Sequence, residues 1–172
     1  MSQIAQAAKS SIGSLYARFE NKQALFDHLD EAYAQDLKKL MAQLAAEGAQ
    51  AGSLREYIEG LARGFVTFHR KQRGLIRALV LAARMDRQPS FAARTEDMNA
   101  STGPLIRGFL KFENDIPVAS KKEAASWALF IIMTMVRERI LFSESVQVIG
   151  SPDDTRLVSE SVRAALGSLT LE

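Results

Sequence analysis

Residues 4–25 read IAQAAKSSIGSLYARFENKQAL, and this stretch decides the fold that we expect for the whole chain. A short helix-like segment is followed by a polar turn, a second short segment that ends in Leu-Tyr-x-x-Phe, and then Asn21 and Lys22, which open a long amphipathic run. Two short helices joined by a turn and followed by a connecting helix are the pattern of a helix-turn-helix. We therefore interpret the downstream chain as the part that positions and controls this motif.

The composition predicts a folded protein with a real core. The 172 residues carry a formal charge of +2, 47% of them are hydrophobic and none is cysteine. Disulfides and thiolate metal sites are therefore excluded, and a reducing, cytoplasmic location is the expectation. Because the total charge is nearly balanced, any contact with nucleic acid has to come from a local basic patch.

Neither a secretory signal nor a membrane span is predicted. The N-terminal residues MSQIAQAAK lack the basic start and apolar core of a signal peptide. The most apolar run, residues 124–136, stops at Arg137-Glu138-Arg139 and falls short of the roughly 20 residues that cross a bilayer. We expect that run to form a buried helix, and we expect no membrane partner.

A long amphipathic helix is predicted from Asn21 to Glu47, because its apolar residues follow each other at steps of three or four. Gly48 is its expected stop, and we place a domain boundary there. The first domain, residues 1–47, would hold the helix-turn-helix and the connector helix. The second, residues 48–172, would hold the rest of the chain.

The second domain is expected to be entirely helical, because its apolar residues keep the helical spacing and no segment has strand periodicity. Capping boxes at Ser53 and Ser120 predict two helix starts. Gly74 is expected to separate two helices, and Pro104 is expected to kink or split the helix that contains it. The last helix is expected to begin at Pro152.

The motif residues are specific enough to indicate a family. Ile4-Ala5-x-x-Ala8, followed by Ser11-x-Gly13-Ser14-Leu15-Tyr16-x-x-Phe19-x-x-Lys22-x-x-Leu25, resembles the DNA-binding signature of the TetR/AcrR family of transcriptional regulators. The resemblance implies an all-α protein in which the helix-turn-helix is joined by the connector helix to a C-terminal helical ligand-binding and dimerisation domain. In that family the second motif helix enters the major groove, the C-terminal helices pair two subunits, and a small molecule in the helical core releases the DNA.

Two features depart from the family pattern. The turn that is usually Gly-Val-Ser is here Lys9-Ser10-Ser11, so the glycine that tolerates a positive φ is lost and a strained turn is expected. The sequence also begins where the family's second helix begins, so the three-helix unit is expected to be incomplete and less stable. A start placed too far downstream, a shortened chain and a natural loss of this helix all stay open as explanations.

The helix that follows Ser11 supplies the expected DNA contacts, with Ser11 as its cap. A serine hydroxyl can donate to or accept from several bases, and small residues can contact a thymine methyl group. The positions that face base edges in the family are here Ile12, Gly13, Ser14 and Ala17, and those expected to contact phosphates are Lys9, Tyr16, Arg18 and Lys22. The competing interpretation is that Tyr16 is half-buried and that the cations are merely solvated.

Aromatic and methionine side chains at helical spacing in the second domain are mostly core residues, but about a third are expected to line a pocket for an apolar effector. The bend expected at Pro104 would leave space for such a ligand. His69 is expected to be a surface or hydrogen-bonded residue. The pocket candidates are Tyr57, Leu61, Phe65, Phe68, Met85, Met98, Phe109, Trp127 and Phe130.

The helix over residues 121–142 is apolar nearly all round, so both of its faces have to be buried. The resemblance and the frequency of two-fold dimers favour a homodimer, in which two helices from each chain form a four-helix bundle. A monomer with a thick core is the alternative. Gly60-x-x-x-Gly64 is interpreted as a site of close helix packing. The expected interface residues are Trp127, Ile131, Met135, Leu157, Val158, Val162 and Leu166.

No residue pattern points to catalysis, a metal or another cofactor, since the chain has no cysteine and no histidine pair at metal spacing. The leading hypothesis is a ligand-responsive regulator, a repressor that a small apolar molecule releases from operator DNA. The alternative, from a different class, is a small-molecule-binding or interaction dimer that keeps the fold without DNA binding.

Overall fold

The computed structural model describes residues 2–7, 9–86, 89–142 and 153–170, together with their side chains except at residues 3, 4, 7, 83–86 and 89–99. Throughout that part of the chain the regular elements are helical, which confirms the all-α fold class. A short 3-10 turn, Glu113–Asp115, follows the sixth α-helix. The α-helices are α1 (Ser2–Ala7), α2 (Ile12–Tyr16), α3 (Lys22–Gly48), α4 (Leu54–Lys71), α5 (Arg73–Asp86), α6 (Pro89–Leu110), α7 (Lys121–Leu141) and α8 (Asp154–Ser168).

The chain forms two compact units, a smaller unit of Met1–Asp36 and a larger unit of Leu37–Glu172. This division falls inside α3, which begins in the smaller unit and ends in the larger one. It lies ahead of Gly48, where the sequence places the boundary between the DNA-binding and ligand-binding domains. That functional boundary stays a prediction.

Two predicted helix caps are confirmed. The side chain of Asn21 accepts a hydrogen bond from the Ala24 amide at 2.9 Å, and α3 starts at the next residue after Asn21. Ser53 accepts from the Glu56 amide at 3.2 Å, and the Glu56 carboxylate accepts in return from the Gly52 amide at 2.9 Å. Side chains thus satisfy amides that have no partner inside either helix.

Two other helix starts differ in part from the prediction: α7 begins after Ser120 as expected but without the predicted cap, and α8 begins later than expected. Ser120 has φ −93° and ψ 65°, outside the extended conformation of a cap residue, and its side chain makes no cap hydrogen bond. The second capping box is therefore wrong. The last helix is capped by Asp153, whose carboxylate accepts from the Arg156 amide at 2.7 Å, and it begins at Asp154. Pro152 lies outside the described residues.

The helix break predicted at Gly74 lies at Gln72 instead, and α6 is not split at Pro104. α4 and α5 meet at Gln72, which has φ −115° and ψ 20°. The Ile76 amide then donates to the Gln72 carbonyl at 3.0 Å, so helical hydrogen bonding has resumed across Gly74. α6 runs through Pro104 as one helix, because a proline removes only a single backbone hydrogen bond from the ladder. The predicted split at Pro104 is therefore wrong, and the alternative, a kink at this position, stays a prediction.

The core of the larger unit is built around α4, which packs against α6, α7 and α8. The inward face of α4 carries Tyr57, Ile58, Leu61 and Phe65, none of which is more than 2% exposed. Burial of one large apolar side chain contributes roughly 1.5–3 kcal/mol to folding, so this single face is a principal source of stability.

The Gly60-x-x-x-Gly64 pattern allows close packing at only one of its two glycines. A methyl group added to Gly64 would overlap the Leu44 side chain of α3, so the absence of a side chain lets α3 approach α4. Gly60 is exposed and has no neighbour within 4 Å of that position. The prediction of close packing is confirmed for Gly64 alone.

His69 is buried, at 5% exposure, near the C-terminal end of α4. Its Nδ1 lies 2.8 Å from the carbonyl oxygen of Phe65 and donates to it in the matching tautomer. Burial lowers the pKa of His69, the hydrogen bond to Phe65 opposes that change, and the positive charge of Arg137 adds to it. The expected hydrogen-bonded histidine is confirmed, and it is held in its neutral form.

Because of His69, we expect the free energy of unfolding of the larger unit to decrease as the pH is lowered. The pKa of this group in the folded protein lies below its usual 6.5, so the unfolded chain binds the proton more readily. The contribution is complete above about pH 6.5 and is lost as the pH falls from there towards the folded pKa, by at most about 1.4 kcal/mol per pH unit. Urea unfolding followed by circular dichroism at several pH values measures this loss.

His69→Gln removes the titration while keeping an amide donor, and it should reduce the loss of stability between about pH 6.5 and 5.5. His28→Gln, in the smaller unit, serves as the matched control and should leave the pH dependence of unfolding of the larger unit unchanged. Identical pH profiles for the parent and His69→Gln would contradict the assignment.

Candidate nucleic-acid interface

The short helix α2 is fixed at its start by two serine hydroxyls. Ser11 is extended, with φ −78° and ψ 151°, and its Oγ accepts from the Ser14 amide at 3.0 Å. The hydroxyl oxygens of Ser11 and Ser14 lie 2.8 Å apart and share a hydrogen bond. The predicted cap is confirmed. The hydrogen bond between the Ser11 and Ser14 side chains was not predicted, although their spacing of three residues on a helix could have suggested it.

All eight residues predicted to contact DNA are exposed. Ile12 and Tyr16 are 46% and 52% exposed, although large hydrophobic side chains of a small folded unit usually pack inward. Exposed apolar groups that the unit does not use in its own core are available to a partner. The remaining exposed members of the set are Lys9, Gly13, Ser14, Ala17, Arg18 and Lys22.

The opposite side of the motif holds α2 in place. Leu25 is buried, Leu15 and Phe19 are partly buried, and the Phe19 ring lies 5.4 Å from the ring of His28 on α3. These contacts give the apolar motif residues a structural role in the packing of the short helices. The side chain of Ile4, another apolar residue of the motif, lies outside the described residues.

Charge is unevenly distributed along the smaller unit. Residues 9–22 contain Lys9, Arg18 and Lys22 against one acid, Glu20. Residues 23–36 contain four acids and no lysine or arginine. Lys22 begins α3, and its ammonium group lies 5.5 Å from the centre of the Phe26 ring, a cation–π distance. The exposed segment around α2 is therefore the local basic patch that the balanced total charge requires.

The turn between α1 and α2 has a left-handed residue at Lys9, with φ 49°. The Ser10 amide donates to the Ala5 carbonyl at 2.9 Å and the Lys9 amide donates to the Gln6 carbonyl at 3.1 Å. This pair of bonds is the Schellman arrangement that closes a helix, and its left-handed position is usually glycine. The strain predicted from the missing glycine therefore falls on Lys9.

The predicted pocket residues separate into three groups. Tyr57, Leu61, Phe65, Phe68 and Phe109 are buried and pack in the core of the larger unit. Trp127 and Phe130 are each 56% exposed, so their assignment to the interior is corrected, because they lie on the outer side of α7. The side chains of Met85 and Met98 lie outside the described residues.

One depression among the described residues lies away from these candidates, at the start of α7. It is open to solvent, and it is lined by Ala119, Ser120, Lys121, Lys122, Glu123 and Ser126. None of these residues was predicted to bind an effector. Within the described ranges no group of three or more histidine, cysteine or acidic residues is placed to hold a metal ion.

The residues predicted to form the dimer interface also differ in their exposure. Leu157, Val158 and Val162 of α8 are buried within their own subunit, so their assignment to an interface is corrected, because α8 turns this face towards α4 and α7. Trp127 is exposed, and the others are partly exposed and available to a partner: Ile131, Met135 and Leu166. No helix in the described part of the chain is long and apolar enough to cross a membrane.

Comparison with known proteins supports the N-terminal interpretation. The family model described as "Bacterial regulatory proteins, tetR family" matches residues 1–29, which include α1, α2 and the beginning of α3. The resemblance indicated by residues 4–26 is thereby confirmed for this segment, which is similar to the DNA-binding segment of TetR-family transcriptional regulators. No curated protein and no solved structure matches the chain.

We expect Lys9→Gly to stabilise the turn between α1 and α2. Glycine adopts a positive φ without the cost of about 1 kcal/mol that a side chain brings, so local opening should become less frequent. Hydrogen exchange of the amides in residues 5–16 should slow by about fivefold. Ser10→Gly, one residue further along, adds chain freedom without relieving a positive φ and should not slow exchange. Equal slowing in both variants would contradict the argument.

Proposed function

We propose that this protein is a homodimeric repressor that binds operator DNA through α2 and is released by a small, largely apolar molecule. The observation that carries the proposal is the exposed face of α2, which is flanked by Lys9, Arg18 and Lys22 and lies within the family match. A protein of this function works beside the chromosome, so we place it in the cytoplasm.

The division of labour on α2 follows from the chemistry of its side chains. Ile12, Gly13 and Ala17 present apolar or small surfaces suited to thymine methyl groups. Ser14 contributes a hydroxyl that can donate or accept, and Ser11 shares its hydrogen bond and sets its orientation. These residues would read bases.

Phosphate contacts would come from the residues around that face: Lys9, Tyr16, Arg18 and Lys22. Arginine offers a fork that fits a phosphate, and lysine supplies a point charge. Lys22 also lies at the N-terminal end of α3, where backbone amides favour an anion. Such contacts fix the register on the duplex without reading its sequence.

A dimer is supported by the aromatic pair on α7. The rings of Trp127 and Phe130 lie 5.6 Å apart at an interplanar angle of 89°, in edge contact, and both are more than half exposed. Ile131, Met135 and Leu166 are partly exposed. A two-fold pairing would cover this surface and place two α2 helices for half-sites separated by about 34 Å or a multiple of it.

The apolar effector is inferred from the buried aromatic side chains of α4 and α6, which include Tyr57, Phe65 and Phe109. A ligand that enters among them would have to displace part of this core. It would release DNA only to the extent that it binds the released conformation more tightly than the DNA-bound one.

We expect Lys22→Ala and Ser14→Ala to affect DNA binding differently. Lys22→Ala should weaken binding to every duplex and reduce the slope of log K against log salt by about 1, because it removes one phosphate contact. Ser14→Ala should instead change sequence preference, by about 1–3 kcal/mol at the affected base pair. Fluorescence anisotropy on duplexes selected from a randomised pool measures both, with scrambled duplexes as competitors.

Lys71→Ala, at the exposed end of α4, is the charge-matched control and should leave the salt slope unchanged. If the parent chain selects no duplex at low salt, the repressor proposal fails and the interaction dimer without DNA binding takes its place. If Ser14→Ala and Lys22→Ala weaken all duplexes equally, the division into base-reading and phosphate-binding residues is wrong.

Trp127→Arg should convert the dimer into a monomer, because a desolvated charge would face its own copy across the two-fold axis. Sedimentation velocity measures the change, and circular dichroism checks that the helices persist. Lys122→Glu, on an exposed part of the same helix, should leave the dimer intact. A parent chain that sediments as a monomer, or a Trp127→Arg variant that remains a dimer, would contradict this interface.

A further inference from the structure

The Tyr57 side chain packs closely against two glycines in the larger unit. A methyl group added to Gly48, the last residue of α3, would overlap the Tyr57 ring. A methyl group added to Gly108, in the last turns of α6, would overlap the ring and the hydroxyl. The ring therefore fills the space that both glycines leave open and joins the end of α3 to the end of α6.

Polar and aromatic contacts hold the ring in this place. The Tyr57 hydroxyl donates to the carbonyl oxygen of Leu105 at 2.6 Å, and the ring meets that of Phe109 edge-on at 5.1 Å. Burial raises the pKa of the Tyr57 hydroxyl, so it stays protonated and remains a donor. A buried tyrosine with its only donor satisfied has one preferred position, because leaving it would strand the hydroxyl without a partner.

Lys111 makes a second, independent connection between the same two elements. Its ammonium group donates to the carbonyl oxygens of Ala49 at 2.8 Å and Ala51 at 3.0 Å, both in the turn that follows α3. Carbonyl groups at a helix end have no partner inside the helix, so a lysine from outside can satisfy them. Residues 105–112 thus hold the end of α3 at two points.

The segment 105–112 follows directly after Pro104. Proline cannot donate the amide hydrogen bond that would tie it to the preceding turn, so the helix is weakened at the point where this segment begins. The two parts of α6 can therefore move relative to each other more easily than two parts of an uninterrupted helix. A displacement of residues 105–112 would carry the Tyr57 and Lys111 contacts with it.

We propose that residues 105–112 form a clamp, the α6 clamp, which fixes the last turns of α3 through Tyr57 and Lys111 and thereby lets α6 control α3. The regulatory role of the clamp rests on the proposed function, because we assign the released clamp to the regulator with its effector bound. Because α3 also begins in the DNA-binding segment, the state of the clamp would set DNA affinity through this one helix.

Hydrogen exchange on the full chain tests the clamp directly. Tyr57→Phe removes the bond to Leu105 while keeping the ring, and Lys111→Met removes both carbonyl contacts while keeping the side-chain length. Each should speed exchange of the amides in residues 37–52 by about fivefold, and Gly108→Ala, which expels the ring, should do so more strongly. Lys111→Arg, which retains donors, should restore slow exchange.

The controls separate the clamp from general loss of stability. Gly60→Ala lies on α4 with open space around it, and Lys122→Met removes an exposed lysine of α7, so neither should change exchange in residues 37–52. Unchanged exchange in both Tyr57→Phe and Lys111→Met would overturn the proposal. Equal acceleration in the controls would overturn it as well.

DNA affinity provides the second readout, with duplexes selected by the parent chain as the probe. The clamp variants should change affinity by about fivefold or more, while the two controls should not. If α3 loosens but affinity does not change, the regulatory role is refuted. If the parent chain binds no duplex while the clamp variants still loosen α3, the proposed DNA-binding function fails and the clamp stands.

Discussion

Burial of one face of α4 is the constraint on which the larger unit depends. Tyr57, Ile58, Leu61 and Phe65 occupy that face, and α6, α7 and α8 all pack around this helix. The close approach of α3 requires Gly64, since Leu44 fills the space where a side chain would be. Helices on several sides of one central helix are thus held by the same few side chains, and a change at any of them is transmitted to more than one neighbour.

In the smaller unit the exposed side chains of α2, and not a buried core, are the residues that we propose for function. A five-residue helix cannot be stable by itself, so α2 depends on its serine cap and on partly buried residues such as Leu15 and Phe19. The same arrangement leaves Ile12 and Tyr16 exposed and concentrates positive charge in residues 9–22. Local stability and the surface that we propose for DNA contact therefore come from different residues of one short segment.

In the larger unit, hydrogen bonds and an ion pair of polar side chains connect different helices, in addition to their apolar packing. Tyr57 and Lys111 bind backbone carbonyls of other segments, and Arg73 donates to the carbonyl oxygen of Ile140 at 2.8 Å. Arg70 and Asp154 form an ion pair between α4 and α8 at 2.7 Å. Apolar contact tolerates sliding, whereas a hydrogen bond to one particular carbonyl sets a register. Such contacts therefore fix the positions of these helices relative to one another.

The sequence by itself determined the helical class, the helix-turn-helix with its cap at Ser11, the left-handed turn at Lys9 and the caps at Asn21 and Ser53. All of these depend on neighbours within a few residues, where spacing and side-chain chemistry decide the outcome. Only the tertiary structure decided that Trp127 faces outward, that Leu157 and Val162 face inward, and that Lys111 reaches the end of α3. A helical period shows which residues share a face, but it does not show which distant helix covers that face, because that choice is made by packing between segments far apart in the chain.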